Sequence, residues 1–341
     1  MKTKVCIGCL ALPIALVAAW PDVEEMALYR ARQYGAEAKE CLRIVDQNGS
    51  PVAGAMVWGG LQTGDGYNDF TTICGMTDMN GEYVIKGRCT NRIRCDITKD
   101  GYYNSEFVAA NYGYRHCLRD GKWQPYGEVT TIELKEIKNP VALTHAKSSY
   151  AKPPSLGKWY GYDIERRKWV IGEDNELHAD MLVRITTECK NNISDFRTKM
   201  EISFTNNAYA GAYMLPVDKH SEMKSVYYAD TNATYQSYFC FVYEKHPIIQ
   251  LRPMRHVSGM EVTDTRLDAD SYLVFRTRTE VDSDGRLVSA HYGKIYGVWE
   301  FFDGMRAANV QFNPIPNDIN LEDAETAECS RRRLRQLEEQ R

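Results

Sequence analysis

The stretch Val45-Asp46-Gln47-Asn48-Gly49-Ser50-Pro51-Val52-Ala53-Gly54-Ala55 is followed by Gly75-Met76-Thr77-Asp78-Met79-Asn80-Gly81-Glu82-Tyr83 and then by Lys99-Asp100-Gly101-Tyr102-Tyr103. Each segment contains an Asn-Gly or Asp-Gly pair beside apolar residues, and the glycine supplies the positive φ that a tight turn needs. Such turns between short runs of Val, Ile, Thr and Tyr predict strands over 42–46, 54–59, 71–77, 82–86, 93–98, 105–110 and 129–136. Residues 41–138 therefore read as an all-β unit.

On the N-terminal side, Val23, Met26, Ala27, Arg30, Tyr34 and Ala38 are spaced as on an amphipathic helix, assigned to 20–40. Before it, Lys2 and Lys4 precede an uncharged run that closes on Val17-Ala18-Ala19. At about 15 residues the run is shorter than the roughly 20 that cross a bilayer core. It reads as a secretory signal peptide over 1–19, leaving no transmembrane span once removed.

On the C-terminal side, 139–157 holds Pro140, Pro153 and Pro154 with little apolar periodicity and reads as a linker. From 158 to 323 alternation returns, with Leu177, Ala179, Met181, Val183 and Ile185 on one face, then Met200, Ile202 and Phe204, then Phe239, Phe241 and Tyr243. A hairpin is expected at Asp282-Ser283-Asp284-Gly285, and a second β-sandwich is the economical reading. The last segment, 324–341, mixes Arg331, Arg332, Arg333 and Arg335 with Glu325, Glu328, Glu338 and Glu339, as a short solvated helix or tail would. The fold class is mainly β: two consecutive β-sandwich domains with an N-terminal helix.

The turn segments quoted above resemble the carboxypeptidase regulatory-like domain. The resemblance implies a transthyretin-like, seven-stranded Greek-key sandwich over 41–138, an accessory fold that names no catalytic residue. Intradiol dioxygenases share that fold, but their iron needs two Tyr and a His-x-His pair, and His116 is the only histidine between 41 and 138. The whole stretch from Cys41, including Tyr160-Gly161-Tyr162-Asp163 and the run Phe312-Asn313-Pro314-Ile315-Pro316-Asn317-Asp318-Ile319-Asn320-Leu321-Glu322, also resembles uncharacterised secreted bacterial proteins.

Composition narrows the function classes. Lys and Arg number 42 against 46 Asp and Glu, a net charge of −4, and apolar residues make up 43%. That is a folded globular chain with no basic domain for nucleic acid. Ten cysteines, less Cys6 and Cys9 in the signal, leave eight, an even number that suggests disulfides in an exported protein. Cys189 and Cys240 are the expected pair in the second half. Compact hydrolase and phosphate-loop motifs are missing from the sequence. Asp78-Met79-Asn80-Gly81 and Asp282-Ser283-Asp284-Gly285 lack the Glu at position twelve of a calcium loop and read as turns. No metal or cofactor is implied.

Three candidate sites remain. Tyr102, Tyr103, Trp123 and Tyr126, near Tyr112 and Tyr114, fall in turn-rich parts of the first domain, where aromatic faces can stack on sugars or grip a protein. In the late hairpin a four-residue loop over 282–285 places Arg276 opposite His291 and Arg278 opposite Ser289, a patch suited to a carboxylate or sulfate. His178 and Asp180, two apart on a strand, share a face and offer an acid-base pair. The expected function is binding or scaffolding outside the cell or in the envelope, with carbohydrate, an envelope polymer or a protein as partner. The competing expectation is a hydrolase or lyase on acidic glycans, built from His178, Asp180, Arg276 and His291 if they converge.

Overall fold

A computed structural model describes residues 22–340 apart from 65–68, 110–111, 113, 146–149, 173–176, 193–194, 205–206, 253–254, 266 and 268. The expected signal at 1–19 lies outside the described residues. Among the described residues no helix is long and apolar enough to cross a membrane.

The N-terminal helix is shorter than expected. α1 (Val23–Tyr34) starts at Asp22, whose carboxylate accepts from the Glu24 amide, and stops at Gly35, where φ is 74°. Residues 36–40, read from sequence as helix, instead open β1 (Ala36–Val45), in which Ala36, Ala38, Glu40, Leu42 and Ile44 alternate inward. The period of two prevails because small alanines at alternate positions fit the core of a strand better than a helix face.

The first sandwich continues with β2 (Met56–Gln62), β3 (Phe70–Met76), β4 (Glu82–Cys89), β5 (Ile93–Thr98), β6 (Ser105–Ala109), the short β7 (Leu118–Arg119) and β8 (Lys122–Trp123), and β9 (Val129–Glu133). One sheet runs β4-β1-β8-β7 with β9 parallel to β1, and the other runs β3-β2-β5-β6. Leu42, Ile44, Ile85 and Ile132 of the first meet Val57, Ile73, Ile93, Ile97 and Phe107 of the second in one core. The turns behave as the Asn-Gly and Asp-Gly pairs require. Asp46 Oδ1 accepts from the amides of Asn48 and Ser50, and Asp78 Oδ1 from those of Asn80 and Glu82. Gly81, at φ 72°, packs so close that an added Cβ would lie 2.3 Å from the Ile44 carbonyl.

The second sandwich has a sheet of β10 (Thr144–His145), β15 (Gly211–Pro216), β18 (Ser271–Val281), β19 (Leu287–Phe301) and β20 (Met305–Phe312) in the order β10-β20-β19-β18-β15. Its partner contains β11 (Tyr160–Asp163), β12 (Lys168–Val170), β13 (Met181–Asn192), β14 (Asp195–Ser203), β16 (Tyr238–Arg252) and β17 (Arg255–Asp264), ordered β12-β11-β13-β14-β16-β17. Val183, Ile185, Met200, Ile202 and Phe241 of the latter face Phe275, Ile295, Trp299 and Phe312 of the former. The other face of the β18-β19 pair is also covered, with Tyr272, Val274, Ala290 and Tyr292 beneath Val217, Ala229 and Leu321. This double burial explains why Tyr272-Leu273-Val274-Phe275 is apolar without alternation.

The connector and the C-terminal segment are structural rather than free. β10 lies inside the expected linker and pairs with β20. α2 (Ala324–Gln340) buries Ala327, Ser330 and Leu337 and sends Arg333 Nε to Asp96 Oδ2 of β5 at 2.8 Å. Just before it, the fully buried Glu322 carboxylate accepts from the amides of Lys138 and Asn139 at 2.7 Å each and from the Tyr103 hydroxyl at 3.1 Å. Asp323 then caps the helix, accepting from the Thr326 amide at 2.8 Å, and pairs with His145.

The expected Cys189–Cys240 bridge does not form. Cys189 stands level with Phe196 and Cys240 with Glu201 on the intervening β14, five residues apart along the strand direction, or roughly 17 Å. A disulfide needs Cα atoms within about 7 Å. The other described cysteines are free thiols.

Two outcomes follow from the junction. Glu322→Ala leaves the buried Tyr103 hydroxyl and the part-buried Lys138 and Asn139 amides without their acceptor, and should lower the urea unfolding free energy by about 2 kcal/mol. The second concerns Lys294, buried against Ser225 Oγ at 2.6 Å and the Leu321 carbonyl at 2.7 Å, where burial pushes its ammonium down to about 7 and Asp323 opposes the shift. Below that value both folded and unfolded states hold the proton and the burial penalty is complete. From about 7 up to the ordinary 10.5, the unfolded chain holds a proton the native one has released, so stability rises with pH. Wild type should therefore gain about 2 kcal/mol relative to Lys294→Met between pH 6.5 and 9. A constant difference across that range would contradict the buried, neutral amine.

Candidate functional site

The outward face of the β3-β2-β5-β6 sheet is not a plain solvated surface. Antiparallel pairing sets its rows: Phe70, Gln62 and Arg92 form one, Thr72, Gly60 and Arg94 the next, and Cys74, Trp58 and Asp96 the third. Residues directly opposite in a sheet share a face, so Trp58 and Phe70 lie on one surface, roughly 13 Å apart along the strands. Between them Gly60 keeps the floor bare; an added Cβ there would stand 3.0 Å from the Phe70 side chain. Arg92 lies over the Phe70 ring, 5.5 Å from its centroid. Arg94, Asp96 and Arg333 of α2 complete a hollow of about 430 Å³.

A second hollow, of about 440 Å³, adjoins the first and shares Arg94, Asp96 and Arg333 with it. Its far wall comes from the second sandwich. The Glu106 amide donates to the His220 carbonyl at 2.7 Å, His220 Nδ1 approaches the Glu106 carbonyl at 3.0 Å, and Ser105 bridges to Ser221. The loop around 218–224 thus pairs with the edge of β6, and α2 closes the side through Ser330, which accepts from the Asn104 amide and donates to Glu222. The result is one groove with an aromatic floor at one end and a polar, mostly basic trough at the other. Such volumes and mixed linings suit a bound ligand.

No protein-family model matches the chain, and no curated protein matches it. Similar solved structures include a 3-chlorocatechol 1,2-dioxygenase from Rhodococcus opacus, at 11% identity and TM-score 0.25, matched over 31% of this chain and 62% of that one. Others are a DUF3823 family protein from Parabacteroides merdae (12%, TM-score 0.20, 82% and 100%) and a Bacteroides uniformis protein whose name proposes carbohydrate binding (8%, TM-score 0.18, 83% and 100%). The chain spans less than two thirds of the dioxygenase. At TM-scores this low these likenesses assign no function.

The residues singled out from sequence lie elsewhere. Trp123 is fully buried, stacked on Tyr112 at 5.7 Å with its Nε1 bonded to the Cys89 carbonyl. Tyr103 is buried against Glu322, Tyr102 is half-buried beside the first core, and Tyr126 donates to Glu37 at 3.1 Å. They form no common platform, because the turn-rich segments that carry them fold inward to close the sandwich.

In the late hairpin the register is one residue off the expected one. Asp282 Oδ1 accepts from the amides of Asp284 and Arg286, drawing Arg286 into the turn and setting Val281 opposite Leu287. Arg276 is therefore opposite Tyr292, and His291 opposite Thr277. Arg276 is buried over the Tyr235 ring at 3.9 Å, while Arg278, at φ 49° in a bulge, lies over Phe312 on the other face, where His291 also stacks. The three do not form one patch. Arg278 instead clamps Asp180 at 3.0 Å and Glu165 at 2.7 Å. Burial pushes the Asp180 carboxyl up and Arg278 opposes it. His178 is exposed while Asp180 is buried, since 177–180 precede β13 and do not share its alternation. His178, Asp180, Arg276 and His291 do not converge.

These placements separate core from groove. Trp123→Ala should cost about 3–5 kcal/mol of stability, as removal of a buried indole does. Trp58→Ala, on the half-open face, should cost less than about 1 kcal/mol. Urea denaturation of both variants checks this; the reverse order would exchange their roles.

Proposed function

We propose that the protein is an exported, non-catalytic binding protein that recognises carbohydrate through the groove on the first sandwich. The single observation supporting this is the pairing of Trp58 and Phe70 across a bare Gly60 floor with guanidiniums at the rim. Aromatic faces stack on the C–H faces of sugar rings, and planar Arg donors bond hydroxyl or acidic substituents. A groove, rather than a closed pocket, suits a polymer that runs past the site.

Export rests on the charged and apolar pattern of 1–19, which also directs the chain toward the envelope or the exterior. The regulatory-like assignment of 41–138 and the division into that domain, the connector 139–157 and a second domain over 158–323 are part of the same reading. The second sandwich acts as a scaffold: its 218–224 loop and the α2 segment build one wall of the groove. The hydrolase or lyase alternative is less well supported: Arg276 and His291 lie on opposite faces of the β18-β19 pair, His178 is exposed and Asp180 is buried against Arg278.

Soluble polysaccharides should retard the intact chain in affinity gel electrophoresis. Trp58→Ala should weaken that retardation by about tenfold, the order expected when an aromatic anchor is lost. Unchanged affinity in Trp58→Ala and Phe70→Ala, with both variants folded, would remove the groove as the site.

A further inference from the structure

The groove carries more positive charge than the carboxylates lining it neutralise. Its lining includes Arg92, Arg94, Lys219, Lys224, Arg332 and Arg333 against the carboxylates of Asp96, Glu106 and Glu222, in a chain whose net charge is −4. Arg94 pairs with Glu106, Arg333 with Asp96 and Lys219 with Asp270. Among the described residues Arg92, Lys224 and Arg332 enter no ion pair; Arg92 faces the Phe70 ring, and Arg332 contacts Cys329 Sγ and lies near enough to Glu328 to help hold its carboxyl down. Like charges gathered on one surface repel, and the arrangement is stabilised when an anion sits among them.

A second observation comes from the floor of the basic trough. Asn104 is 4% exposed and Ser221 1% exposed, and both line the hollow. Asn104 Nδ2 and Ser221 Oγ have no hydrogen-bond partner among the described residues. Buried polar groups of this kind are ordinarily satisfied, and two of them beneath one basic surface point to a ligand group with acceptor oxygens. An amide donor and a hydroxyl in the hollow that the Lys224 ammonium and the Arg332 guanidinium also line match the oxygens of a carboxylate or a sulfate.

We infer that the ligand is an acidic glycan, a sugar chain bearing carboxylate or sulfate groups. Its ring faces lie on Trp58 and Phe70, and an acidic substituent lies in the trough of Asn104, Ser221, Lys224 and Arg332. This rests on the carbohydrate reading above and specifies the chemical class of the chain. The two hollows meet at the Arg94–Asp96–Arg333 ridge, so one extended polymer reaches both.

The test uses the intact chain and matched polymers that differ in charge alone: dextran sulfate against dextran, and polygalacturonate against its methyl ester, with oligothymidine as a non-glycan polyanion. The acidic polymers should bind at least about tenfold more tightly than their neutral counterparts, the scale of a charge-assisted contact. The double variant Lys224→Ala/Arg332→Ala should lose that preference, keep the affinity for neutral polymer and unfold at the same urea concentration as wild type. Trp58→Ala should weaken binding of both kinds. Equal affinity for acidic and neutral polymers, with Trp58→Ala still weakening both, would overturn the acidic class and leave carbohydrate recognition standing. Oligothymidine bound as tightly as dextran sulfate would overturn the assignment to a glycan. No binding of any polymer by the intact chain would remove both readings together.

Discussion

A carboxylate withdrawn from water must find donors nearby, and Glu322 draws its donors from distant parts of the chain: the Tyr103 hydroxyl of the first sandwich and the Lys138 and Asn139 amides where that sandwich passes into the connector. Its neighbour Asp323 receives Thr326 at the start of α2 and His145 of the short strand on β20. Two adjacent acids therefore tie both sandwiches and the final helix to one point. The groove depends on that tie, since its walls are α2 and the 218–224 loop while its floor belongs to β2 and β5. If the two sandwiches turned relative to each other, the floor would survive and the trough would not.

Much of the fold was legible in the sequence, and for a local reason. Turns such as Asp78-Met79-Asn80-Gly81 are closed by their own side chains, with Asp oxygens accepting amides two and four residues ahead. Information of this kind needs no distant partner. The strand over 93–98 was read with its observed limits, and those over 71–77 and 105–110 to within a residue. The misreadings arose where tertiary burial overrode a local pattern. Ala36 and Ala38 fit a helix by propensity yet serve as small inward residues of β1. The 139–157 segment looked like a linker because its few pairing residues are spread among prolines, although β10 and the bridge from Ala151 to Met305 hold it to the second sandwich.

The site was legible in part. Alternation in Ile93-Arg94-Cys95-Asp96-Ile97 already puts Arg94 and Asp96 on the outward face, and Gly59-Gly60 beside Trp58 marks a place of close backbone approach. Sequence could not show that Arg333 sits beside Asp96, 237 residues earlier, or that a loop of the second sandwich edges β6. The aromatics that drew notice lay in turn-rich segments, and such segments here bring Trp123 and Tyr103 into cores. In the late hairpin a single residue of register separated a shared patch from two opposite faces, as period-two geometry dictates.

The long reach between Asp96 and Arg333 also sets an order of events. A contact across 237 residues can close only after the intervening chain has been made. During synthesis the first sandwich can collapse early on its own core, with Trp58 and Phe70 already on its surface but no trough beside them. The trough is thus missing from nascent chains, and the closed groove itself reports that folding has run to its end.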